Sequence, residues 1–110
     1  MKITDVKAFP VSAKIEKPIS TATFSYQTKD LAIVEISTDE GVTGVGECFS
    51  RFVPEATKLI IEKGFKPMLV GEDPYDVEVL WRKMYSVMRP RGHSRGFVIE
   101  AISGIDTALW

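Results

Sequence analysis

Two hydrophobic periods divide the chain near Phe52. Before it, apolar residues fall in short strand-like runs; after it they recur three and four apart. Residues 3–11, with Ile3, Val6, Ala8 and Phe9 as apolar members, read as a strand. Pro10 lacks the N–H that a ladder needs, so this strand belongs at an edge or near its own end. Residues 17–29 are rich in Ser and Thr and carry Pro18 near their start, which predicts a loop. Leu31-Ala32-Ile33-Val34-Glu35-Ile36 is rich in β-branched residues and bounded by turn formers, which predicts a second strand. Thr38-Asp39-Glu40-Gly41 predicts a turn in which Gly41 takes a positive φ. Residues 42–47 return as a third strand. Gly44 and Gly46 are two apart and share one of its faces, leaving that face bare for close approach by another element.

The second half is helical. Pro54 sits where a first turn begins, Ala56, Leu59, Ile60 and Lys63 follow at helical spacing, and Gly64 reads as a stop. Pro67 and Gly71 punctuate a connector, and Asp73-Pro74 has the form of an N-cap with a first-turn proline. Val77, Leu80, Trp81, Met84, Val87 and Met88 then trace an apolar stripe. Arg89-Pro90-Arg91-Gly92-His93-Ser94-Arg95-Gly96 breaks that helix with a basic loop. From Phe97 a last helix carries Ala101, Ile102, Ile105, Ala108 and Leu109, with so few polar positions that burial on several sides is expected. It reaches Leu109-Trp110 without a closing Gly, Asn or Pro, so a continuation beyond Trp110 is expected. The predicted fold class is α+β: a three-stranded antiparallel meander followed by helices.

Composition narrows the function classes. At 110 residues, 45% hydrophobic and 26% charged, the chain suits one globular domain and not a disordered one. A net charge of -1 supplies no basic surplus for phosphate contact, so nucleic acid is not an expected partner. Cys48 is the single cysteine, which precludes an intrachain disulfide. The N-terminus runs into charged residues instead of an apolar leader, and no apolar run approaches the ~20 residues of a bilayer span. A cytoplasmic, non-membrane protein is the expectation.

Candidate chemistry is sparse. One His93 and one Cys48 preclude a closed zinc site, and the carboxylates are scattered between strand, turn and cap, so no metal site is expected in this segment. Nucleophilic catalysis needs a nucleophile held by an oriented base. His93 and Ser94 are adjacent in a loop, where neighbours rarely face each other, so no catalytic residue is assigned. Arg89, Arg91 and Arg95 suit either an anion contact or a solvated loop, and the solvated loop is the plainer reading. Glu47-Cys48-Phe49-Ser50-Arg51-Phe52 ends a strand on an acid, a thiol and two aromatics, the kind of strand end where ligand contacts concentrate. Phe49 or Phe52 could equally be core.

Three stretches carry a resemblance. LAIVEISTDEGVTGVGE (residues 31–47), Gly71-Glu72-Asp73-Pro74 and Ala101-Ile102-Ser103-Gly104-Ile105-Asp106-Thr107-Ala108-Leu109-Trp110 resemble the N-terminal capping domain of the enolase superfamily, in the mandelate racemase and muconate lactonizing enzyme branch. The last stretch is the most specific. The resemblance implies a capping domain at residues 1–96, with residues 97–110 beginning the helix that leads toward a (β/α)7β barrel. It implies Mg²⁺ and acid/base residues in that barrel and proton abstraction α to a carboxylate. It further implies a small carboxylate or acid-sugar substrate and a homo-oligomer. Two cap loops close on substrate in such enzymes, corresponding here to residues 17–29 and 48–54. By that alignment Ile19, Tyr26 and Phe52 face the pocket, with Thr21, Thr23 and Phe24 in the first loop as further substrate contacts. The hydroxyl-rich first loop favours acid-sugar dehydration over racemisation, with epimerisation and cycloisomerisation as the other reactions the resemblance allows. The alternative is a stand-alone α+β binding or interaction module.

Overall fold

The computed structural model describes residues 1–20, 25–50 and 52–110. Strands β1 (Ile3–Ser20), β2 (Ser25–Thr38) and β3 (Thr43–Phe49) form one antiparallel sheet in that order. Helix α1 (Pro54–Leu59) runs through a π-wound stretch, Ile60–Phe65, into α2 (Lys66–Leu69); α3 (Val77–Met88) and α4 (Phe97–Leu109) follow. The α+β meander and the helical second half are therefore as the two periods predict.

Alternation along β2 decides which face the helices cover. Ala32, Val34 and Ile36 are buried, whereas Leu31, Ile33 and Glu35 are only half-buried. The β2–β3 turn is closed by Thr38 N–H donating to the Val42 carbonyl at 3.1 Å and Gly41 N–H to the Thr38 carbonyl at 3.3 Å. Gly41 has φ 79°, the left-handed conformation this hairpin needs and glycine takes without penalty. On β3 the covered positions are Gly44, Gly46 and Cys48, and α4 lies against them backbone to backbone. A Cβ on Gly46 would sit 2.0 Å from the Gly104 carbonyl oxygen, and one on Gly44 would sit 1.9 Å from that of Ala108. The bare face read from the sequence is the seat of α4.

The outer edge of β1 is covered rather than left for another chain. Ile3 N–H donates to the Glu72 carbonyl at 2.9 Å and Gly71 N–H to the Ile3 carbonyl at 2.8 Å. Ala8 N–H donates to Glu62 Oε2 at 3.1 Å, while Lys58 Nζ donates to the Ala8 carbonyl at 3.0 Å. Lys58 and Glu62 are themselves paired at 2.9 Å. Pro10 has no N–H to offer, so the edge is blunted along its length. The Lys66 hydrogen bond, at 2.6 Å, holds the Asp5 carboxyl below its usual range, and Lys58 does the same for Glu62.

Three local expectations fail for identifiable reasons. Residues 17–29 do not form a plain loop: β1 and β2 pair through to Ser20 opposite Ser25, because Thr and Tyr suit strands and hairpin pairing needs only backbone. The Pro18 region is absorbed as an irregularity, five steps of β1 from Lys14 to Ile19 opposing two of β2 from Thr28 to Tyr26. This arm outruns β3, whose last pair is Phe49 with Leu31. It lengthens the molecule to 45 Å and gives a radius of gyration of 14.9 Å, against about 13 Å for a compact domain of this size.

Gly64 does not stop its helix. Ile61, Phe65 and Leu69, four apart, are all fully buried, and their burial outweighs the ~1 kcal/mol a helical glycine costs. The wide π turn, in which Lys66 N–H reaches back to the Ile61 carbonyl, also makes room for the ring of Pro67. Asp73 caps a turn, accepting from Tyr75 N–H at 2.9 Å, and α3 begins only at Val77. The burial expected of α4 is largely supplied within this chain. Val98, Ala101, Ile102, Gly104, Ile105 and Ala108 are buried, while Ser103 and Thr107 on its polar side and Phe97 and Trp110 at its ends are exposed.

The glycine contact gives a direct test. Gly46→Ala should cost about 3 kcal/mol, because a methyl would collide with backbone that cannot move aside. Gly64→Ala, which meets nothing within 4 Å, should gain about 0.5–1 kcal/mol. Urea unfolding midpoints of the two variants should shift in opposite directions.

Candidate functional site

Two segments meet at one end of the sheet. The β1–β2 arm extends beyond the Leu31–Phe49 pair, and the β3–α1 connection leaves the sheet at that same row. Within the arm, Ile19 lies opposite Tyr26 in the register. Thr21, Thr23 and Phe24 fall outside the described residues. Phe52 stands in the β3–α1 connection, 82% exposed. Neither Phe49 nor Phe52 is core, since Phe49 is itself 49% exposed.

The connection is held from both sides of Phe52. The two-residue period that buries Gly46 and Cys48 continues to Ser50, which is fully buried. Its hydroxyl oxygen accepts a hydrogen bond from Thr57 Oγ1, also fully buried, at 3.3 Å. Pro54, at the first turn of α1, is buried on the other side. Phe52 is thus displayed on a short bridge between two buried anchors. Ser50 and Thr57 went unnoticed in the sequence, although carrying the strand period past residue 48 would have placed Ser50 inward.

Cys48 is an anchor too. Its thiol contacts the Ala101 carbonyl at 3.9 Å, and it lies closely enough under α4 that a Cβ on Gly104 would be 2.1 Å from Sγ. Burial, aided by the nearby Glu100 and Glu47 carboxylates, pushes the thiol up to about 11 despite the opposing contact from the Gly104 backbone. A thiol that stays protonated at neutral pH is a packing group and not a nucleophile.

The remaining candidates do not converge on this end. Arg89 lies over the Tyr85 ring at 5.9 Å and Arg91 donates to the Val87 carbonyl of its own helix end. His93 is exposed, its backbone N–H closing the helix on the Met88 carbonyl at 3.1 Å. The basic loop thus serves as a helix terminus. Glu47 and Glu100 share a groove between β3 and α4 with Phe49, Ile99, Ser103 and Thr107. Among the described residues no three of His, Cys, Asp or Glu gather as a metal site, and no helix is long and apolar enough to cross a membrane. What the sheet end can supply is contact, shape and exclusion of water.

Comparison with known proteins gives a consistent answer. Residues 3–110 match the family described as mandelate racemase / muconate lactonizing enzyme, N-terminal domain. D-galactarolactone cycloisomerase of Agrobacterium fabrum is 34% identical over 110 residues, which is 100% of this chain and 28% of that enzyme. Arabinonate dehydratase of Saccharolobus solfataricus is 42% identical over 81 residues, 74% of this chain and 21% of its own. The crystal structure of an enolase superfamily member from Polaromonas sp. JS666 superposes with a TM-score of 0.85 at 34% identity, covering 100% of this chain and 29% of that one. A racemase from Streptomyces coelicolor A3(2), solved with bound magnesium, shares the fold with a TM-score of 0.91 at 24% identity, over 98% of this chain and 30% of its own. The chain spans less than a third of the length of each of these relatives.

The buried thiol makes a pH prediction. An acid whose folded pKa is raised stabilises the fold fully below its unfolded pKa, 9.0, and loses that contribution as pH climbs toward about 11. Stability should therefore fall between pH 9 and about 11 more steeply in the wild type than in Cys48→Ser, which has no thiol to ionise. Urea titrations of both proteins across that window read the difference.

Proposed function

The chain belongs to the N-terminal domain family of mandelate racemase and muconate lactonizing enzyme, and we propose that it is the substrate-covering part of an enolase-superfamily enzyme acting on a sugar acid, by dehydration or cycloisomerisation. The observation that carries this reading is that the β1–β2 arm and the β3–α1 connection leave the sheet at the same end, with Phe52 held out from buried anchors instead of being spent in the core. Relatives that match over most of this chain include a cycloisomerase and a dehydratase named for sugar-derived acids or lactones.

In this reading Ile19, Tyr26 and Phe52 shape the pocket, and Thr21, Thr23 and Phe24 add contacts from the arm. Their hydroxyls suit a polyol acid and their apolar groups displace water. Dryness matters because abstraction of a proton α to a carboxylate builds negative charge, and every stabilising charge acts more strongly once water is excluded. The acid/base groups belong to a part of the enzyme outside this chain, in the barrel that the family implies. The magnesium ion implied with them does not fit here: no ligand cluster forms among the described residues. The same reading places the enzyme in the cytoplasm.

The test needs the longer parent enzyme. Phe52→Ala should raise KM for its sugar acid roughly three- to tenfold, the scale of one lost apolar contact, while leaving Tm unchanged. Ile19→Ala should act in the same direction. Variants that lose Tm at unchanged KM would make these residues structural and remove the basis for the proposal. A screen of aldonic acids and their lactones on the parent separates dehydratase from cycloisomerase.

A further inference from the structure

Among the described residues the buried polar side chains are Ser50 and Thr57, and they bond to each other. A hydroxyl loses its hydration on entering the interior, and the bond made in exchange does little more than offset that loss. At 3.3 Å this bond is longer than the ~2.7–2.8 Å typical of a hydroxyl pair, so its net contribution to stability is small. Alanine and valine would fill nearly the same space, and replacing both partners of a buried bond by apolar groups of their shape can be almost neutral. What the hydroxyls supply is direction. Apolar contact is non-directional, whereas a hydrogen bond weakens steeply off its axis.

The pair stands where direction is useful. Ser50 follows the last residue of β3 and Thr57 lies in α1, so the bond fastens the two ends of the segment 50–57. Between those ends Phe52 and Val53 are 82% and 37% exposed. The entrance to α1 has no side-chain cap: Val53 occupies the N-cap, and the turn closes through Ala56 N–H donating to the Val53 carbonyl at 3.1 Å. Tying the ends of a short segment together removes conformations from the residues between them.

We propose that Ser50 and Thr57 are positioning residues for Phe52: their hydrogen bond sets where the ring stands over the ligand, and thereby ligand affinity, while adding little to stability. This rests on the reading of Phe52 as a residue that covers a sugar acid. Neither hydroxyl is placed to touch that ligand, because both side chains are fully buried. Each acts through the connection it holds.

Thr57→Val keeps the shape of the side chain and removes the donor, whereas Thr57→Ser keeps the donor and removes a methyl. NMR relaxation of the chain's backbone amides should give Phe52 and Val53 order parameters near the ~0.85 of rigid backbone in the wild type and below about 0.6 in Thr57→Val. Thr57→Ser should restore the rigid values, and Ser50→Ala, which removes the acceptor, should loosen the same two residues. In the longer parent enzyme Thr57→Val should raise KM for the sugar acid roughly three- to fivefold at unchanged kcat. Combined with Phe52→Ala it should raise KM no further than Phe52→Ala alone, because Thr57 acts through the ring. A lowered Tm with the order parameters of residues 52 and 53 unchanged would make the pair ordinary core and overturn the proposal. Additive effects of Thr57→Val and Phe52→Ala on KM would put the influence of Thr57 elsewhere and overturn it too. The two layers fail differently. Phe52→Ala without effect on KM removes the covering role of Phe52 and the proposal with it, whereas a connection that stays rigid in Thr57→Val removes the positioning alone.

Discussion

The rest of the molecule depends on a contact in which a strand and a helix meet with almost nothing between their backbones. β3 presents Gly44, Gly46 and Cys48, and α4 presents Gly104 and Ala108. At separations where an added Cβ would approach carbonyl oxygen to about 2 Å, no intervening side chain can rotate to absorb a displacement. Packed backbones of this kind behave as bistable or rigid, not as continuously deformable. The price is a set of positions that tolerate only the smallest residues, and the return is that the helix seats directly on the strand end.

That rigidity passes directly to one half of the candidate site. Cys48 lies under α4, Ser50 continues the same inward line, and Thr57 ties it to α1, so the connection carrying Phe52 begins and ends on buried residues. The β1–β2 arm is held differently. Past Leu31 no third strand pairs with it among the described residues, and a two-stranded ribbon owes its order to its own pairing, which is marginal in water. The site therefore joins a stiff wall to a cantilever. Local opening should cost least on the cantilever side, which suits a cover that must admit and release its ligand.

Most of this architecture was legible in the sequence because it rests on period and on glycine. The meander, the turn at Gly41 and the bare face of Gly44 and Gly46 follow from alternation and from residues without a Cβ. What escaped were features decided by partners distant in sequence. Gly64 reads as a stop until Phe65 and Leu69 are seen to be buried, and the hydroxyl-rich stretch before Lys29 reads as a loop until its backbone finds a pairing strand. The site was half legible. Phe52 could be marked as a candidate from its place after a strand, but its exposure depends on Ser50 and Pro54 being buried on either side. Buried hydroxyls leave no composition signal that separates them from surface ones.

The same contrast locates where specificity can change. Inward positions from Gly44 to Ser50 are constrained by backbone clearance and burial, so substitution there is answered by loss of fold before any change of ligand. Phe52 meets no such constraint, being mostly surrounded by water. A fold of this kind hosts different reactions by varying what stands on it, and the relatives that share this domain carry names as different as cycloisomerase and dehydratase. If the wall and its anchors are common property of the fold, the difference between such enzymes on this side of the substrate must reside in the displayed residues. The close contact between β3 and α4 permits that division, because it holds the strand end in place without enlisting Phe52 in the core.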